Sequence, residues 1–386
     1  MSAETISLGC RLNFAESETI ARSAPPEEDW IIVNSCSVTN EAVRQTRQAI
    51  RRAHRQRPNV KILVTGCAAE LEPAMFATLP GVSLVVKNAL KLNSLATNDV
   101  MAPAGLLANV KSFVAVQTGC DHRCTFCSIW KARGPSISLP FEAIRDAVAK
   151  EIDRGAREIV LTGVDITDYD GGLGKLCQRL LADEPRLTRL RLSSLDSIEI
   201  DGALFELIAG ERRLMPHFHL SLQAGDDMIL KRMKRRHSRS DAVLTVERIK
   251  AVRPDASIGA DLIAGFPTET EEMAFNSLKL LDDCDIVAAH IFPFSARPAT
   301  PAARMPQLAR ELVKARAARL REAAARRRHS WLESLVGSCQ PVLAEGEGKG
   351  HTDNFAPVAI AGARRGETGT ARIMARDGDQ LTAVWA

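Results

Sequence analysis

The most informative stretch of the sequence is Gln117-Thr118-Gly119-Cys120-Asp121-His122-Arg123-Cys124-Thr125-Phe126-Cys127. Its cysteines follow the spacing Cys-x3-Cys-x2-Cys, which places three thiols on one short loop. A [4Fe–4S] cubane normally takes four thiolates, so three of them hold three irons and leave the fourth iron open to another ligand. The alternatives are three core cysteines or a structural zinc site that uses His122, although zinc would want a fourth ligand at regular spacing. The pattern therefore favours an iron–sulfur cluster.

A strand-then-helix rhythm surrounds this stretch from about residue 111 to residue 330. The predicted strands are residues 112–117, 158–162, 189–193, 217–223, 257–263 and 287–292. The predicted helices include residues 141–154, 173–182 and 271–281, and a long basic helix follows at 307–329. Six such units predict an open, partial (β/α)6 barrel. Because the functional edge of a barrel lies at the carboxyl ends of its strands, the cysteine loop after the first strand belongs to that edge.

The N-terminal segment carries a second set of cysteines. Its apolar runs are residues 5–9, 30–34 and 61–66, and the cysteines that follow them are Cys10, Cys36 and Cys67. The pattern predicts a small parallel α/β domain. The carboxyl ends of parallel strands share one edge, so we expect the three cysteines to converge there. For each cysteine taken alone, the alternative is a small buried hydrophobic residue.

The C-terminal segment, residues 337–386, reads as short strands separated by turn residues. The strands are predicted at 340–344, 355–361, 369–375 and 380–385, with a hairpin turn at Asp377-Gly378. This pattern predicts a small antiparallel β-barrel. The whole chain is thus predicted to be an α/β multidomain protein with domains at 1–98, 106–330 and 331–386, and with the first boundary near Leu95 to Gly105.

Composition limits the class of protein. The 386 residues are 45% hydrophobic, enough for two or three domain cores, and 4% aromatic, too few for a platform that stacks many bases. No apolar run is long enough to span a bilayer and residues 1–10 lack a leader pattern, so a cytoplasmic protein that does not contact membranes is expected. Nine cysteines in such a protein indicate metal or redox chemistry. Cys177, Cys284 and Cys339 have no motif around them and are predicted to be core residues.

Basic residues are grouped although the net charge is only +4. On a helix predicted at 41–57, one face carries Arg44, Arg47, Arg51 and Arg55. A second group at 231–236 contains Arg232 and Arg235, and a third lies on the helix predicted at 310–328. Such groups bind phosphates without reading the sequence of a nucleic acid, and a solvated helix face is the alternative. Residues 339–386 are not basic, so charge does not mark the C-terminal domain as an RNA-binding domain.

Four stretches carry a resemblance that covers nearly the whole chain. They are Leu8-Gly9-Cys10-Arg11-Leu12-Asn13 with Glu16-Ser17-Glu18, Val33-Asn34-Ser35-Cys36-Ser37-Val38-Thr39-Asn40-Glu41-Ala42, Val64-Thr65-Gly66-Cys67, and Gln117-Thr118-Gly119-Cys120-Asp121-His122-Arg123-Cys124. Together they resemble the radical S-adenosylmethionine methylthiotransferase family. Within that family they are most similar to the MtaB-type tRNA N6-threonylcarbamoyladenosine methylthiotransferases.

The resemblance implies the domain order as well as the chemistry: a methylthiotransferase domain, a radical S-adenosylmethionine domain and an RNA-binding TRAM-like domain. It implies S-adenosylmethionine and two [4Fe–4S] clusters, one held by Cys120, Cys124 and Cys127 and the other by Cys10, Cys36 and Cys67. The implied reaction adds a methylthio group at C2 of N6-threonylcarbamoyladenosine, next to the anticodon of tRNA. A flavodoxin-like or similar electron donor and a sulfur donor are the further partners.

The chemistry of that carbon explains why two cysteine triads are needed. The C2–H bond of adenine is unactivated, so a positioned acid or base does not suffice and a radical generator is required. The second cluster would keep one iron open for a sulfur ligand. By resemblance, the residues expected to contact S-adenosylmethionine are Phe126, Thr162, Gly163, Asp165, Ser194, Gln223 and Asp261.

The chain departs from the family after Cys127. There the family has an Ile-Ile-Pro-like run, whereas this chain reads Ser128-Ile129-Trp130-Lys131-Ala132-Arg133, so the loop beside the cofactor is changed. Alternative functions are methylthiolation of another tRNA adenosine or of a protein side chain, and a non-catalytic iron–sulfur protein that binds RNA. The strand-end motifs argue against the non-catalytic alternative.

Overall fold

The computed structural model describes residues 3–25, 28–93, 110–298 and 300–386. The predicted boundary between residues 98 and 106 lies outside the described residues. The predicted boundary at 330/331 falls inside a long helix, Arg310–Ser334. In the part of the chain that the structure describes, no helix combines the length and the apolar composition needed to cross a bilayer.

The N-terminal unit is a four-stranded parallel sheet in the order β1-β2-β3-β4. Its elements are β1 (Glu4–Ser7), α1 (Arg11–Arg22), β2 (Trp30–Ser35), α2 (Asn40–Gln56), β3 (Lys61–Gly66), α3 (Cys67–Leu71), α4 (Pro73–Ala77) and β4 (Val82–Val85), followed by a 3-10 helix, Asn88–Asn93. The prediction missed β4, a short edge strand whose side chains are only partly buried. The parallel α/β domain itself is confirmed.

The middle unit is a partial barrel of six parallel strands. Its elements are β5 (Lys111–Ala115), β6 (Gln117–Thr118), α5 (Ile129–Arg133), β7 (Ile137–Ser138), α6 (Phe141–Asp153), β8 (Glu158–Thr162), α7 (Leu173–Asp183), β9 (Leu190–Leu192), α8 (Gly202–Gly210), β10 (His217–Gln223), α9 (Asp227–Met233), α10 (Arg239–Val252), β11 (Ser257–Ala264), α11 (Glu271–Asp283), β12 (Ile286–Pro293) and α12 (Arg310–Ser334). The sheets β5-β8-β9 and β10-β11-β12 meet through two isolated bridges, and β6 and β7 form a small hairpin. The predicted (β/α)6 architecture is confirmed.

The two faces of the barrel strands differ in polarity. Residues such as Ile159, Leu220 and Ile258 are buried in the core that the helices cover. The intervening residues, among them Arg191 and His219, carry polar groups. Because successive strand residues point to opposite faces, the apolar side chains pack outward against the helices and the polar ones line the barrel interior.

The C-terminal unit is a closed five-stranded barrel in the order β13-β14-β15-β17-β16. The strands are β13 (Cys339–Gly346), β14 (Lys349–Thr352), β15 (Pro357–Ile360), β16 (Thr368–Asp377) and β17 (Gln380–Trp385). The small β-barrel and the turn after Asp377 are confirmed. Two features differ from the prediction: β14 was missed, and β15 pairs with β17 in parallel although every other pair is antiparallel.

The C-terminal unit inserts an aromatic ring against the amino ends of the barrel strands. The ring of Phe355 stacks on His351 of its own unit, with centroids 4.6 Å apart, and on His217 of β10 at 4.9 Å. The cationic groups of Lys111 and Arg191 each lie 4.8 Å from the same ring. Phe355 has φ 71°, a value that is uncommon for a residue other than glycine. The ring therefore fixes this unit at the end of the barrel opposite the cysteine loop.

Ion pairs reinforce that contact. Arg189 pairs with Asp353, and Lys111 pairs with Glu345 at 2.5 Å. Arg189 also contacts the buried Glu158 at 3.1 Å, which in turn accepts a hydrogen bond from Arg191 at 2.8 Å. Burial alone would raise the pKa of Glu158, but Arg191 and the other cations bring it well below its usual range. Charges from both units thus neutralise one another at this junction.

Candidate active site

The cysteine loop of the barrel is held at both ends. At its start, the backbone N–H of Cys120 donates to the carbonyl of Gly134 at 3.2 Å. Farther along, the N–H of Thr125 donates to the carbonyl of Met233 at 3.0 Å, and its hydroxyl donates to the carbonyl of Arg232 at 2.8 Å. The loop is therefore pinned between the β6–β7 hairpin and the end of α9. It holds three free thiols at the carboxyl edge of the barrel, as predicted.

The environment of these thiols fits a cluster. Burial raises the pKa of Cys120 and of Cys127 to about 12, so both remain protonated until a cation displaces the protons. Arg235 donates to the sulfur of Cys124 at 3.8 Å and adds positive charge beside a site that becomes anionic. Among the described residues, the set of side chains close enough for a single ion that includes a cysteine of this loop contains Cys120, His122 and Asp165, without Cys124 or Cys127. Three thiols on one loop match the ligand number of a cubane that leaves one iron open.

Gln117 ties the cysteine loop to the turn after β8. Its amide donates to the carbonyl of Gly119 at 2.9 Å. Its carbonyl accepts the backbone N–H groups of Val164 and Asp165 at 3.0 and 2.9 Å. A Cβ on Gly163 would lie 2.8 Å from the backbone carbonyl oxygen of Gln117, so the close approach of the two segments requires glycine. No role for the Gln117 side chain was predicted from the sequence.

The predicted cofactor residue Asp165 lies beside the cysteines. One of its carboxylate oxygens accepts from the hydroxyl of Thr167 at 2.8 Å, and the other lies 3.2 Å from His122 Nε2 and 4.0 Å from the sulfur of Cys120. Burial raises the pKa of Asp165. His122 is thus engaged with carboxylates, including Glu199 at 3.5 Å, and not with the three thiols as a set.

The other predicted cofactor residues belong to the same edge or to the barrel interior. Thr162 ends β8, Ser194 follows β9, and Gln223 ends β10. Asp261 lies inside β11, and Phe126 packs on a separate apolar cluster that includes Phe266 and Ile229. Their contact with S-adenosylmethionine stays a prediction.

The second triad occupies the corresponding edge of the N-terminal sheet. Cys10 follows β1, Cys36 follows β2 and Cys67 follows β3, and these three strands are neighbours. A Cβ on Gly9 would lie 2.6 Å from the sulfur of Cys36, so glycine is needed where the two loops meet. Burial, and then the nearby Cys10 and Cys67, raise the pKa of Cys36 to about 11. The fold brings the three cysteines to one edge of the sheet, as predicted.

The two triads lie close to each other. Ser37 and Ser128, which directly follow Cys36 and Cys127, approach within 3.4 Å through their hydroxyl oxygens. The proximity of Cys67 also contributes to the raised pKa of Cys127. Both sets of thiols therefore lie near the contact between the N-terminal sheet and the mouth of the barrel.

A buried ion triad joins the two domains near the cysteine triads. Glu16 of α1 pairs with Lys91 and, at 2.8 Å, with Arg133 of α5. Arg133 also donates to the side-chain oxygen of Asn13 at 2.7 Å, and its side chain is 2% exposed. Burial alone would raise the pKa of Glu16, but Arg133 and Lys91 lower it to about 2. The altered segment after Cys127 therefore forms a short helix that reaches the first domain.

A second link runs from the loop after β12. Asn40, at the start of α2, donates its backbone N–H to the hydroxyl of Ser295 at 3.2 Å and its amide to the carbonyl of Ala296 at 3.3 Å. Arg297 contacts Asn40 and is 4% exposed. Arg297 also lies close to Cys36, where its positive charge offsets part of the rise in pKa that burial causes in that thiol. Arg133 and Arg297 thus place positive charge around a triad that would carry an anionic cluster.

The predicted RNA-binding arginines divide into two groups. On α2, Arg44, Arg51 and Arg55 are exposed and Arg47 is half-buried. Arg235, in contrast, is 7% exposed and pairs with Asp196 at 2.9 Å beneath the cysteine loop. Arg235 therefore supports the cysteine loop from below, and its predicted contact with RNA does not fit its buried position.

Arg232 and Cys339 also differ in exposure from what the sequence predicted. Arg232 is half-buried and donates to the carbonyl of Thr268 at 3.3 Å. Cys177 and Cys284 are buried, as predicted, but Cys339 is exposed at the start of β13, so its prediction as a core residue is wrong. The first three residues of β13 are exposed or only partly buried, and burial along this strand begins at Val342.

Most of the chain is similar in sequence to named proteins. The radical S-adenosylmethionine superfamily model matches residues 114–281, and the model of the uncharacterized protein family UPF0004 matches residues 3–87. Threonylcarbamoyladenosine tRNA methylthiotransferase MtaB of Rickettsia prowazekii is 42% identical over 382 residues, which cover 92% of this chain and 91% of that protein. The chain belongs to the MtaB family.

Other relatives include proteins that are named for a different tRNA nucleoside. MtaB of Thermotoga maritima is 32% identical, covering 95% of this chain and 92% of the relative. A tRNA-2-methylthio-N(6)-dimethylallyladenosine synthase of Erythrobacter litoralis is also 32% identical, covering 89% and 86%. The radical S-adenosylmethionine methyltransferase TsrM of Kitasatospora setae, solved with cobalamin and a [4Fe–4S] cluster, matches with a TM-score of 0.55 at 14% identity, over 74% of this chain and 67% of that one. This last likeness shows the fold alone.

A stability prediction follows for the ion triad of this MtaB-family protein. Replacing Arg133 with Met should lower the free energy of unfolding of the metal-free protein by about 3 kcal/mol, because a buried carboxylate loses one of two cationic partners. Chemical denaturation measures the loss. The Glu16 carboxylate stabilises the fold above its unfolded pKa of about 4.3 and loses this effect as the pH falls toward its folded pKa of about 2, so the variant should show a weaker acid dependence.

Arg179→Gln is the matched control, since Arg179 is 59% exposed on α7. It should change the stability by no more than about 0.5 kcal/mol. Equal stabilities for Arg133→Met and Arg179→Gln would contradict a structural role for the ion triad.

Proposed function

We propose that this protein inserts a methylthio group at C2 of N6-threonylcarbamoyladenosine next to the anticodon of tRNA. The observation that carries the proposal is the pair of cysteine triads that lie near one contact between two domains, in a chain 42% identical to an MtaB. Methylthiolation of another tRNA adenosine or of a protein side chain, and RNA binding without turnover, are the alternatives. The cytoplasm is the proposed location, and the proposed domains are 1–98, 106–330 and 331–386.

We assign one [4Fe–4S] cluster to Cys120, Cys124 and Cys127 and a second to Cys10, Cys36 and Cys67. The first would supply the electron that cleaves S-adenosylmethionine to a radical, and the second would hold the sulfur to be transferred. An electron donor of the flavodoxin type, or a similar one, and a sulfur donor are required as partners.

The protein's own residues contribute position and charge. Gln117 fixes the cysteine loop against the turn that carries Asp165, so these two parts of the cofactor site move together. Arg133 and Arg297 would offset the negative charge of the second cluster, and they join the two domains through Asn13 and Asn40.

The function is tested by comparing tRNA from cells with and without the gene. Mass spectrometry of the nucleosides should show the 2-methylthio derivative of threonylcarbamoyladenosine replaced by the unmethylthiolated nucleoside when the gene is absent. Anaerobically reconstituted protein should form 5′-deoxyadenosine, which a binding protein without turnover would not. An unchanged threonylcarbamoyladenosine pool, with a change in a different nucleoside, would support one of the alternative substrates.

A prediction tests the RNA-binding face of α2. Replacing Arg44, Arg51 and Arg55 with Gln should weaken tRNA binding and flatten its salt dependence, since each lost phosphate contact removes roughly one counterion from the slope. Binding measured at several salt concentrations gives the slope. The matched control replaces Arg145, Arg179 and Arg186, which are exposed arginines near the outer helices α6 and α7.

Only the α2 variant should lose slope, and the control should bind tRNA like the unmodified protein. If both variants keep the slope, α2 is a solvated helix face and the RNA contact lies elsewhere, for example on the exposed Lys231 and Lys234 or on α12.

A further inference from the structure

A pocket of about 450 Å³ lies beside the cysteine loop of the barrel, at the end of α9. Its lining residues all fall within 227–241, which belong to one β/α unit. Three exposed cations line it, Lys231, Lys234 and Arg236, and so does the buried Arg235. We call this surface the α9 pocket. It contains most of the basic group that the sequence places at 231–236.

The backbone of Lys234 separates the exposed cations from the buried one. Lys234 follows the last turn of α9 with φ 63°, a left-handed value that is uncommon for a residue other than glycine. The chain turns there, and the backbone N–H of Arg235 donates to the carbonyl of Leu230 at 2.9 Å. As a result the side chain of Arg235 is buried, whereas those of Lys234 and Arg236 are exposed.

A single side chain separates the α9 pocket from the barrel triad. Arg235 lines the pocket and donates to the sulfur of Cys124 at 3.8 Å. The same segment also holds the backbone of the cysteine loop. The carbonyl oxygens of Arg232 and Met233 accept the hydroxyl and the N–H of Thr125 at 2.8 and 3.0 Å. A cluster held by this triad would therefore be linked to the pocket by hydrogen bonds as well as covalent bonds.

The exposed lysines give the pocket a positive charge. Within the described ranges, neither Lys231 nor Lys234 forms an ion pair. Asp227 and Asp241 also line the pocket. Both carboxylates are engaged at the start of α10, where they accept backbone N–H groups at 2.6 and 2.8 Å. The lysines therefore present charge of the sign that attracts an acidic protein.

From this geometry we infer that the α9 pocket is the docking surface of the electron donor, an acidic protein that carries its redox group at its surface. The inference rests on the proposed function, in which the barrel cluster needs an external electron. The reduced donor loses one electron and the cluster gains it, and no bond forms or breaks. Because the rate of electron transfer falls steeply with distance, the donor must approach this cluster closely. Opposite charges on the two surfaces speed their encounter.

Transfer RNA is the other anionic partner, but the position of the pocket favours the electron donor. Under the proposed function, the base that is methylthiolated must reach both triads, one in the N-terminal unit and one in the barrel. The α9 pocket is built from a single unit of the barrel and contains no residue of the N-terminal unit. Only the barrel triad takes up the electron, so a surface beside that triad alone suits the donor.

The test compares a protein reductant with a small one. Lys231 and Lys234 are both replaced with Glu, and the reconstituted protein is supplied either with reduced flavodoxin, an acidic flavoprotein, or with dithionite. With flavodoxin, the variant should lose about 10-fold in kcat/KM for the donor, measured as 5′-deoxyadenosine, because reversed charges slow the encounter. With dithionite, which needs no docking surface, the variant should match the unmodified protein.

Binding gives a second readout that does not depend on turnover. Oxidised flavodoxin is titrated into the protein at several salt concentrations. The unmodified protein should bind less tightly as the salt rises, since salt screens the attraction between charged surfaces. The variant should bind weakly throughout. The matched control replaces Lys279 and Lys349 with Glu, since both lysines are exposed, one on α11 and one on β14. It should bind flavodoxin and react with it like the unmodified protein.

Three results would overturn the inference. Equal flavodoxin binding and kinetics in the α9 variant and the control would exclude docking at this surface, and cleavage with dithionite would leave the proposed function intact. An equal loss with both reductants would mean that the substitutions disturb the cluster itself. Weaker tRNA binding with a flatter salt dependence, and unchanged kinetics with flavodoxin, would make the α9 pocket an RNA contact. If neither reductant yields 5′-deoxyadenosine with the unmodified protein, the radical chemistry of the proposed function is wrong and the inference falls with it.

Discussion

Replacement of Cys120, Cys124 and Cys127 by Ala should remove about half of the approximately eight irons expected in the reconstituted protein, and should abolish formation of 5′-deoxyadenosine. The loop should keep its place without the thiols, because its anchors are backbone and hydroxyl groups at Cys120 and Thr125. The remaining iron should be that of the N-terminal triad. Iron analysis together with an assay of S-adenosylmethionine cleavage measures both effects.

The chain supplies a matched control in its other three cysteines. Cys177 and Cys284 are buried in the barrel core and Cys339 is exposed, so replacing all three with Ala removes the same number of sulfurs. This variant should keep its full iron content and its cleavage activity, although loss of two buried sulfurs lowers its stability. Complete loss of iron, or no loss, in the first variant would rule out two independent cluster sites.

Replacement of Cys10, Cys36 and Cys67 by Ala should separate the two chemical steps. Cleavage of S-adenosylmethionine should continue, since the barrel triad and the predicted cofactor residues Gly163 and Asp165 are unchanged. Methylthiolation should fall below detection, because the proposed holder of the sulfur is gone. Parallel measurement of 5′-deoxyadenosine and of the modified nucleoside tests this prediction, and methylthiolated product from the variant would refute the role of the N-terminal domain.

The sequence predicted the parts of the site that depend on local order. Each triad cysteine follows a strand with a clear apolar pattern, and neighbouring parallel strands bring their carboxyl ends to one edge. The positions of Cys10, Cys36 and Cys67 therefore required no knowledge of long-range contacts beyond the parallel sheet. The same reasoning placed the cysteine loop of the barrel.

Contacts between domains could not be predicted from local sequence patterns. Arg133 meets Glu16 across 117 positions and Arg297 meets Asn40 across 257, and no periodicity in the sequence links such pairs. A signal did exist for Arg133, because the segment after Cys127 departs from the family pattern. For Arg235 the prediction was wrong in the other direction. A run of basic residues predicts an exposed surface, but Arg235 is buried because it pairs with Asp196 from a different β/α unit. Strand pairing in the C-terminal barrel likewise depends on partners, so the parallel pair of β15 and β17 could not be read from alternation.

The Phe355 ring has a consequence for exchanging domains between proteins. It inserts between His217 and His351 and lies against Lys111 and Arg191, so the C-terminal barrel also closes the floor of the catalytic barrel. A chimera that replaces residues 337–386 with an unrelated RNA-binding module would leave Lys111 and Arg189 without Glu345 and Asp353. A working graft must therefore reproduce the Phe355 contacts as well as any affinity for tRNA, so the two barrels should be exchanged together.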